Sequence, residues 1–301
     1  MALHFHNIGL IGTHKNPQVA DTLAIVARFI HQLGLNVMIE AVSAEALQDL
    51  AYNIVSLQEL GERCDLVIAV GGDGNLLQAA RTMSCYNVPV LGINRGQLGY
   101  LTDLAPDDFE GHLHAILSGK FVSEARFLLQ GEIHHALGNL ATKDNALNDI
   151  VLFPGEIAQL IEFELRIDGR FVYSQRSDGL IISTPTGSTA YALSAGGPII
   201  APALNVLLIV PKLPHTLTNR PVVIDANSLI EIRLSPNNKT LPRLSYDGQT
   251  HVNLEFDNII IIRRQEQSIT LLHPEHYDYY KVWRQKLGWG KQLIKIGTEI
   301  P

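Results

Sequence analysis

Apolar positions in the first hundred residues change period several times. "NIGLIG" is a short apolar run ending at Gly12, and it predicts a buried strand. Over residues 18–33, Ala20, Leu23, Val26, Ala27, Ile30 and Leu33 recur at helical spacing, and Gly34 supplies the stop. "LNVMIE" reads as a second strand, and Ser43 is a candidate N-cap for a helix over "AEALQDLA". "DLVIAV" and "VPVLGIN" predict two further strands with the helix "NLLQAARTM" between them. Strands joined through helices imply a parallel sheet with helical cover.

After about residue 120 the period shortens to two. "IEFELRIDGRFVYSQR" alternates apolar and polar residues on both sides of Asp168 and Gly169, which is the pattern of a hairpin. "LIEIRLS", "PRLSYDGQT" and "NIIIIRR" continue the alternation, and "PEHYDYYKVWRQKLGW" returns to helical spacing. The expected fold is an α/β N-terminal domain with a parallel sheet and a β-rich C-terminal domain, followed by a helical tail. The boundaries are set at 1–125 and 126–274, with the tail over 275–301.

Composition narrows the function classes. Hydrophobic residues make up 46% of the chain and charged residues 18%, so the chain can build a packed core. The formal net charge of −7 speaks against a nucleic-acid partner and gives no support for an anionic membrane surface. Two cysteines, Cys64 and Cys85, form no CxxC pair; they fit a reducing cytosol and small core positions, with no zinc site. "MALHFHNIGLIGTHKN" lacks a basic segment and a long apolar one, and no apolar run approaches the roughly 18 residues of a membrane span. A soluble cytoplasmic protein is expected.

Three motifs carry candidate chemistry. In "DLVIAVGGDGNLLQAA", over residues 65–80, Gly71, Gly72 and Gly74 surround Asp73 where a strand gives way to a helix. Open α/β sheets place ligands beyond such strand ends, and the helix N-terminus with free backbone N–H groups favours an anion. A tight turn with Asp73 as helix cap is the plainer alternative. Asp73 itself would repel phosphate, so it better suits a metal or the proton of a hydroxyl. In "RSDGLIISTPTGSTAYALSAGGPII", over residues 176–200, hydroxyls and glycines alternate at a density that suits the polar edges of a nucleotide. The plainer reading is a solvated linker, disfavoured by the Pro-Thr-Gly turn and the helix-compatible stretch after it. In "NALNDIVL", Asn148 and Asp149 open an apolar strand; taken alone they read as a turn. The His4/His6 and His134/His135 pairs lack carboxylate or cysteine partners and read as surface residues.

Together these segments resemble the ATP-dependent NAD kinases of bacterial type, within the group of kinases that carry a Gly-Gly-Asp-Gly loop. "GGDGN", "LGINRGQLGYLTD", "LNDIVL", "RSDGLIISTPTGSTAYALSAGGPI", "PHTLTNRP", "DGQ" and the helical tail follow the family's order over nearly the whole chain. The resemblance implies transfer of the γ-phosphate of ATP to the 2′-hydroxyl of the adenosine ribose of NAD, giving NADP, with a divalent cation such as magnesium or manganese. It implies a tail that returns to the first domain, and homodimers or homotetramers with sites near a subunit interface. Asp73 would be the proton acceptor, Gly74 would lie beside the dinucleotide, and Asn148 and Asp149 would hydrogen-bond ribose and base. Tyr100 would line the adenine pocket. Arg176 and Asp178 would contact the dinucleotide from a neighbouring subunit, Thr189, Ala190, Tyr191 and Ser194 would line the same pocket, and Gln249 would reach it from the "DGQ" turn. Two further residues counted among the nucleotide-binding ones depart from the family pattern: Asn75 stands where many relatives have Thr, which alters the polar contact there, and Gln159 stands where they often have His or Arg, at one polar contact to the substrate.

Two rival functions fit parts of the same sequence. A lipid or sugar kinase shares the glycine loop but has no use for Asn148, Asp149 or the hydroxyl-rich segment. A dinucleotide sensor would keep the binding segments without needing Asp73.

Overall fold

The computed structural model describes residues 3–13, 16–45, 47, 52–95, 99–104, 109–135, 138–156 and 159–289. The chain divides into two compact units. The first comprises Met1–Leu76, Pro89–Glu124 and Leu271–Pro301, and the second comprises Leu77–Val88 and Ala125–Thr270.

In the first unit β1 (Asn7–Ile11), β2 (Asn36–Glu40), β3 (Asn53–Val55), β4 (Leu66–Gly71) and β5 (Val90–Asn94) form a parallel sheet in the order β3-β2-β1-β4-β5. Helices α1 (Pro17–Gln32), α2 (Ala41–Ala44), α3 (Leu57–Arg63), α4 (Asp73–Met83) and α5 (Phe109–Leu117) alternate with the strands. The first turn of α4 belongs to this unit and the rest of the helix to the second. Asn16 caps α1 by accepting from the Gln18 N–H, and Pro17 presets the first helical φ. The α1 stripe Val19, Leu23, Val26 and Ile30 is buried against Ile8, Leu10, Ile39 and Ile68 of the sheet, as its spacing implies. Gly34, at φ +77°, stops the helix.

Two expectations are corrected here. Ser43 is not a cap; Glu40 caps α2, and the Ser43 hydroxyl sits inside that helix, accepting from the Gly12 N–H while its one proton lies between the Gly12 carbonyl and the Glu40 carboxylate. Most of "AEALQDLA" lies outside the described residues. Cys64 is a buried core thiol, pushed up to about 12 by burial and the Asp65 charge, but Cys85 is exposed.

The second unit holds two antiparallel sheets. It contains β7 (Leu140–Ala146), β8 (Asp149–Phe153), β9 (Ile161–Ile167), β10 (Arg170–Ser177), β11 (Gly179–Ser183), β12 (Val206–Lys212), β13 (Val222–Asp225), β14 (Ile230–Leu234), β15 (Arg243–Tyr246) and β16 (Thr250–Asn253), with the short helix α6 (Tyr191–Ser194). Most of β6 (Val122–His134) and β17 (Ile259–His273) also belongs here. One sheet runs β13-β12-β11-β8-β15-β16, and β10-β9-β14-β17 form the other, with β6 on β17 and β7 on β6. Leu152, Leu180, Ile182 and Tyr246 of the first meet Phe163, Leu165, Ile232 and Ile260 of the second in one core. The β9–β10 hairpin turns on Asp168 at φ +51° and Gly169 at φ +75°, the left-handed pair that a two-residue turn requires.

The end of β17 returns to the first unit, where Leu271 and Leu272 pair in parallel with Val90 and Leu91 of β5. Helix α7 (Tyr279–Leu287) follows, capped by Asp278 and stopped by Gly288 at φ +68°. The tail thus joins the first unit, as the family resemblance implies.

The turn out of β17 rests on a buried ionic cluster. His273 is 1% exposed; Nδ1 bonds the Asp103 carboxylate, Nε2 lies 3.5 Å from Glu124, and the ring stacks on Tyr277 at 3.8 Å between centroids. Burial alone would lower the imidazole pKa, but hydrogen bonds and charge from Asp103 and Glu124 outweigh it, and the net shift is upward. A raised histidine contributes stability that is complete below its unfolded pKa near 6.5 and lost as pH rises through the folded value. Replacing His273 with Ala leaves the nine-tenths buried Asp103 unpaired, an expected loss of about 3–5 kcal/mol at about pH 6. Thermal denaturation checks this: the parent should lose more stability than His273→Ala between about pH 6 and 9, and parallel curves would refute the ionic role.

Candidate active site

Asp73 is the first residue of α4, and its carboxylate reaches a loop 27 to 29 residues further on. Oδ2 accepts from the Tyr100 N–H at 2.8 Å; Oδ1 accepts from the Leu101 N–H at 3.1 Å and the Thr102 hydroxyl at 3.2 Å. The contact is close because residue 99 is glycine: a Cβ there would lie 2.0 Å from Asp73 Oδ1 and 2.3 Å from the Thr102 hydroxyl oxygen. Gly71 ends β4 at φ +137°, and its carbonyl accepts from the Arg95 N–H. The Asn75 side chain fills the space where a Gly71 Cβ would be, 2.3 Å from Nδ2, and donates to the Val70 carbonyl at 2.8 Å. Asn75 thereby braces the loop with the amide that the resemblance places at the nucleotide. Gly72 has nothing within 4 Å of an added Cβ, so its backbone is the open approach. Gly74 follows Asp73 in the first turn of α4. Tyr100 is half-buried, with Lys286 5.5 Å from its ring centroid, and burial with the Asp73 charge raises its hydroxyl pKa.

In the second unit a cavity of about 370 Å³ is lined by Asn148, Asp149, Ala190, Tyr191, Lys212 and Asp247, among others. The Asp247 carboxylate accepts three successive backbone N–H groups: Leu147 on Oδ2 at 2.8 Å, and Asn148 at 2.8 Å and Asp149 at 3.0 Å on Oδ1. The Asp247 N–H returns a bond to the Asp149 carbonyl at 2.9 Å. Burial raises Asp247 despite those N–H groups and Arg81, which is itself paired with Asp144 at 2.6 Å. Asp149 is pushed up to about 7 by burial and the Asp247 charge. Across the cavity, Lys212 Nζ sits 4.9 Å from the Tyr191 ring centroid.

The hydroxyl-rich segment divides in two. Thr184, Thr186 and Ser188 are buried and satisfied within the protein. The Thr184 hydroxyl donates to the Leu147 carbonyl at 2.5 Å, Thr186 accepts from Arg126, and Ser188 donates to the Pro185 carbonyl while accepting from the Ile200 N–H. Those hydroxyls build the loop. Half-buried Thr189, half-buried Ala190 and exposed Tyr191 face outward, and Ala190 and Tyr191 line the cavity.

Other expected residues lie off the described cavity lining. Ser194 is exposed at the end of α6, Gln159 precedes β9, and Gln249 follows Gly248 in the turn after β15. Arg176 is exposed on β10, and Asp178, just before β11, donates its N–H to the Lys212 carbonyl. Asp247 and Lys212 were missed as individual site residues. The Asp-Gly turn after an apolar strand marked the place of Asp247, and no local signal marked Lys212.

Gly99→Ala tests the fit around Asp73. The added methyl cannot coexist with the present carboxylate position, so overpacking of about 1–3 kcal/mol is expected. A lower melting temperature together with altered amide chemical shifts at Tyr100 and Leu101 is the expected result. Unchanged shifts at both amides would show that the contact is looser than described.

Comparison with known proteins assigns the family. Residues 8–121 match the ATP-NAD kinase N-terminal domain and residues 147–273 the ATP-NAD kinase C-terminal domain. The NAD kinase of Azotobacter vinelandii is 49% identical over 290 residues, which cover 96% of this chain and 98% of that protein. The NAD kinase of Chromohalobacter salexigens is 49% identical over 289 residues, with the same coverage of 96% and 98%. Among solved structures, yeast NADH kinase complexed with NADH superposes with a TM-score of 0.86 at 25% identity, covering 98% of this chain and 90% of that one. An NAD kinase from Archaeoglobus fulgidus in complex with ATP gives 0.68 at 26% identity, covering 94% and 98%. With both domain types matched in order and close to half of all positions identical to bacterial relatives along almost their full length, the chain belongs to the ATP-NAD kinase family.

Proposed function

We propose that the protein transfers the γ-phosphate of ATP to the 2′-hydroxyl of the adenosine ribose of NAD, giving NADP and ADP. The observation that carries this reading is the placement of Asp73: a partly exposed carboxylate among glycines at the start of α4, fixed by two N–H groups and a hydroxyl. A carboxylate held in that way is oriented to accept a proton from an alcohol. The bond formed joins the ribose oxygen to the γ-phosphorus, the bond broken is the bridge to the β-phosphate, and the hydroxyl proton passes to Asp73.

Asn148 and Asp149 hold ribose and base, with Ala190 and Tyr191 on the wall of the same cavity. Tyr100 receives adenine, Thr189, Ser194, Gln159 and Gln249 supply further polar contacts, and Arg176 and Asp178 reach the dinucleotide of a neighbouring subunit. The backbone at Gly71, Gly72 and Gly74 faces phosphate. In this reading residues 1–125, completed by the tail from 275, carry the phosphoryl chemistry, and 126–274 carry the dinucleotide.

The donors near Asp73 fit a divalent ion that arrives on the nucleotide. Among the described residues the only group of three His, Cys, Asp or Glu ligands is His135, Glu255 and Asp257, exposed in the second unit. Magnesium usually keeps several waters and leans on substrate phosphates, so it would arrive on ATP and leave the open direction of the Asp73 carboxylate to the alcohol. The ion would offset phosphate charge during transfer. The enzyme is taken to be cytoplasmic; among the described residues no helix is long and apolar enough to cross a membrane.

Incubation with NAD, ATP and magnesium should yield NADP, and excess chelator should abolish the product. Asp73→Asn should lower kcat by about 10²–10⁴ while NAD still binds. It should also lower the melting temperature, because both oxygens accept N–H groups and an amide offers only one acceptor, a loss of about 1–3 kcal/mol. Thr102→Val removes one of the three bonds and leaves the charge, so it separates the two effects. Full turnover of Asp73→Asn would end the case for Asp73 as proton acceptor, and no NADP from the parent would end the kinase reading.

We also propose a homodimer or homotetramer. Leu213 and Leu217, 76% and 90% exposed, lie between β12 and the edge strand β13, whose Val222 and Val223 are exposed as well. An apolar edge of this kind is commonly covered in an assembly. Light scattering at micromolar concentration should give a mass at least twice 33.2 kDa, and a fully active monomer would contradict a shared site.

A further inference from the structure

The Asp247 turn does more than close a hairpin. Its carboxylate spans 98 to 100 residues of sequence to hold three consecutive amides, and the reciprocal N–H bond to the Asp149 carbonyl closes the clamp. To do so Asp247 adopts φ +52°, a left-handed conformation unusual for a residue with a side chain, followed by Gly248 at φ +66°. The far side of the clamped turn is fixed too: the Asn148 carbonyl accepts from the Thr184 N–H at 2.9 Å and the Ser183 hydroxyl at 3.2 Å, and a Cβ on Gly187 would lie 2.2 Å from it. The backbone of Asn148 is therefore gripped from both sides, while the side chains of Asn148 and Asp149 border the cavity that Asp247 itself also lines.

We propose that Asp247 is a positioning residue for the dinucleotide: by clamping the amides of residues 147–149 and setting its fixed charge beside Asp149, it presents Asn148 in one orientation and keeps Asp149 as a protonated hydrogen-bond donor. This rests on the dinucleotide reading of the cavity given above. Two carboxylates bordering one cavity do not both ionise readily; burial raises both, and the three N–H groups on Asp247 favour its ionised form over that of Asp149. The other, Asp149, is pushed up to about 7. A neutral carboxyl can donate to a ring nitrogen or a carbonyl of the ligand, whereas a carboxylate there would repel the pyrophosphate of a dinucleotide. Among the described residues the charged or titratable groups around this pair include Lys212 on β12, Tyr191 on α6, and Arg81 with its partner Asp144.

The sign follows. NAD affinity should be highest below about pH 7 and fall as pH rises through the Asp149 transition, with binding above it taking up a proton. Titration calorimetry of the full chain with NAD, in buffers of different ionisation enthalpy, reads both the dissociation constant and the proton count. For Asp247→Asn we expect NAD binding at least tenfold weaker at about pH 6.5, a rise in KM that exceeds any fall in kcat, and a transition shifted to lower pH. For Asp149→Asn, a permanent donor of the same shape, the transition near pH 7 should vanish.

An unchanged NAD affinity and pH profile in Asp247→Asn would overturn the proposal. If that variant does not fold, a parent whose NAD binding is flat from about pH 6 to 8.5, or an Asp149→Asn variant that retains the transition, would overturn it equally. A parent that makes no NADP would instead sink the kinase reading, and a parent that makes NADP without the transition would sink only this inference.

Discussion

A carboxylate that accepts consecutive backbone N–H groups from a distant loop is the interaction on which both candidate binding regions depend. Asp73 does this for residues 100 and 101, and Asp247 for residues 147–149. Asp65 uses the same device in a plainly structural place, accepting from the N–H groups of His6 and Asn7 at the start of β1. Buried loop amides need partners, and a carboxylate satisfies two or three at once with charge-assisted bonds. The cost is that the anion must be desolvated. Each of these aspartates therefore sits where several donors converge.

That device also explains where small residues are required. Gly99 allows the 100–102 loop to come down onto Asp73, and Gly187 allows the segment after β11 to pass the Asn148 carbonyl at a distance no side chain permits. These glycines serve close approach. Gly71 differs: its left-handed φ turns the chain, and Asn75 then fills the vacant side. The glycine-rich opening of α4 thus holds two kinds of glycine, one serving the turn and one, Gly72, leaving the backbone accessible.

Much of the fold was legible because it depends on local pattern. The α1 stripe, the parallel strands and the β9–β10 hairpin follow from periods of 3.6 and 2 and from an Asp-Gly turn. What stayed hidden depends on partners far apart in sequence. Nothing near Thr184, Thr186 or Ser188 distinguishes a hydroxyl that holds its own loop from one that meets a ligand; the distinction appears only once Leu147, Arg126 and Ile200 are brought beside them. Ser43 looked like a cap because a cap is a local property, but the helix starts earlier, with Glu40 accepting from the Val42 and Ser43 N–H groups, and the Ser43 hydroxyl bonds Gly12, 31 residues away. His273 and Asp103 are 170 residues apart, and neither stands in a motif that implies the other.

The geometry of Asp73 limits what its carboxylate can do. An ionised carboxyl offers about four lone-pair directions. Among the described residues two on Oδ1 are occupied by Leu101 and Thr102, and one on Oδ2 by Tyr100. One direction on Oδ2 remains, and its aim is set by the loop. The Asp247 carboxylate has the same occupancy, two bonds on Oδ1 and one on Oδ2, so it too keeps one direction, on an oxygen of a residue that lines the cavity. The same clamp can thus serve two purposes. In the proposed function the open direction receives an alcohol and the carboxylate accepts its proton; in the proposed positioning role the fixed charge keeps a neighbouring carboxyl protonated, and that proton is left for the ligand. In the proposed function Asp73, beside the open backbone of Gly72, serves the first purpose, and in the proposed positioning role Asp247, next to the buried Asp149, serves the second.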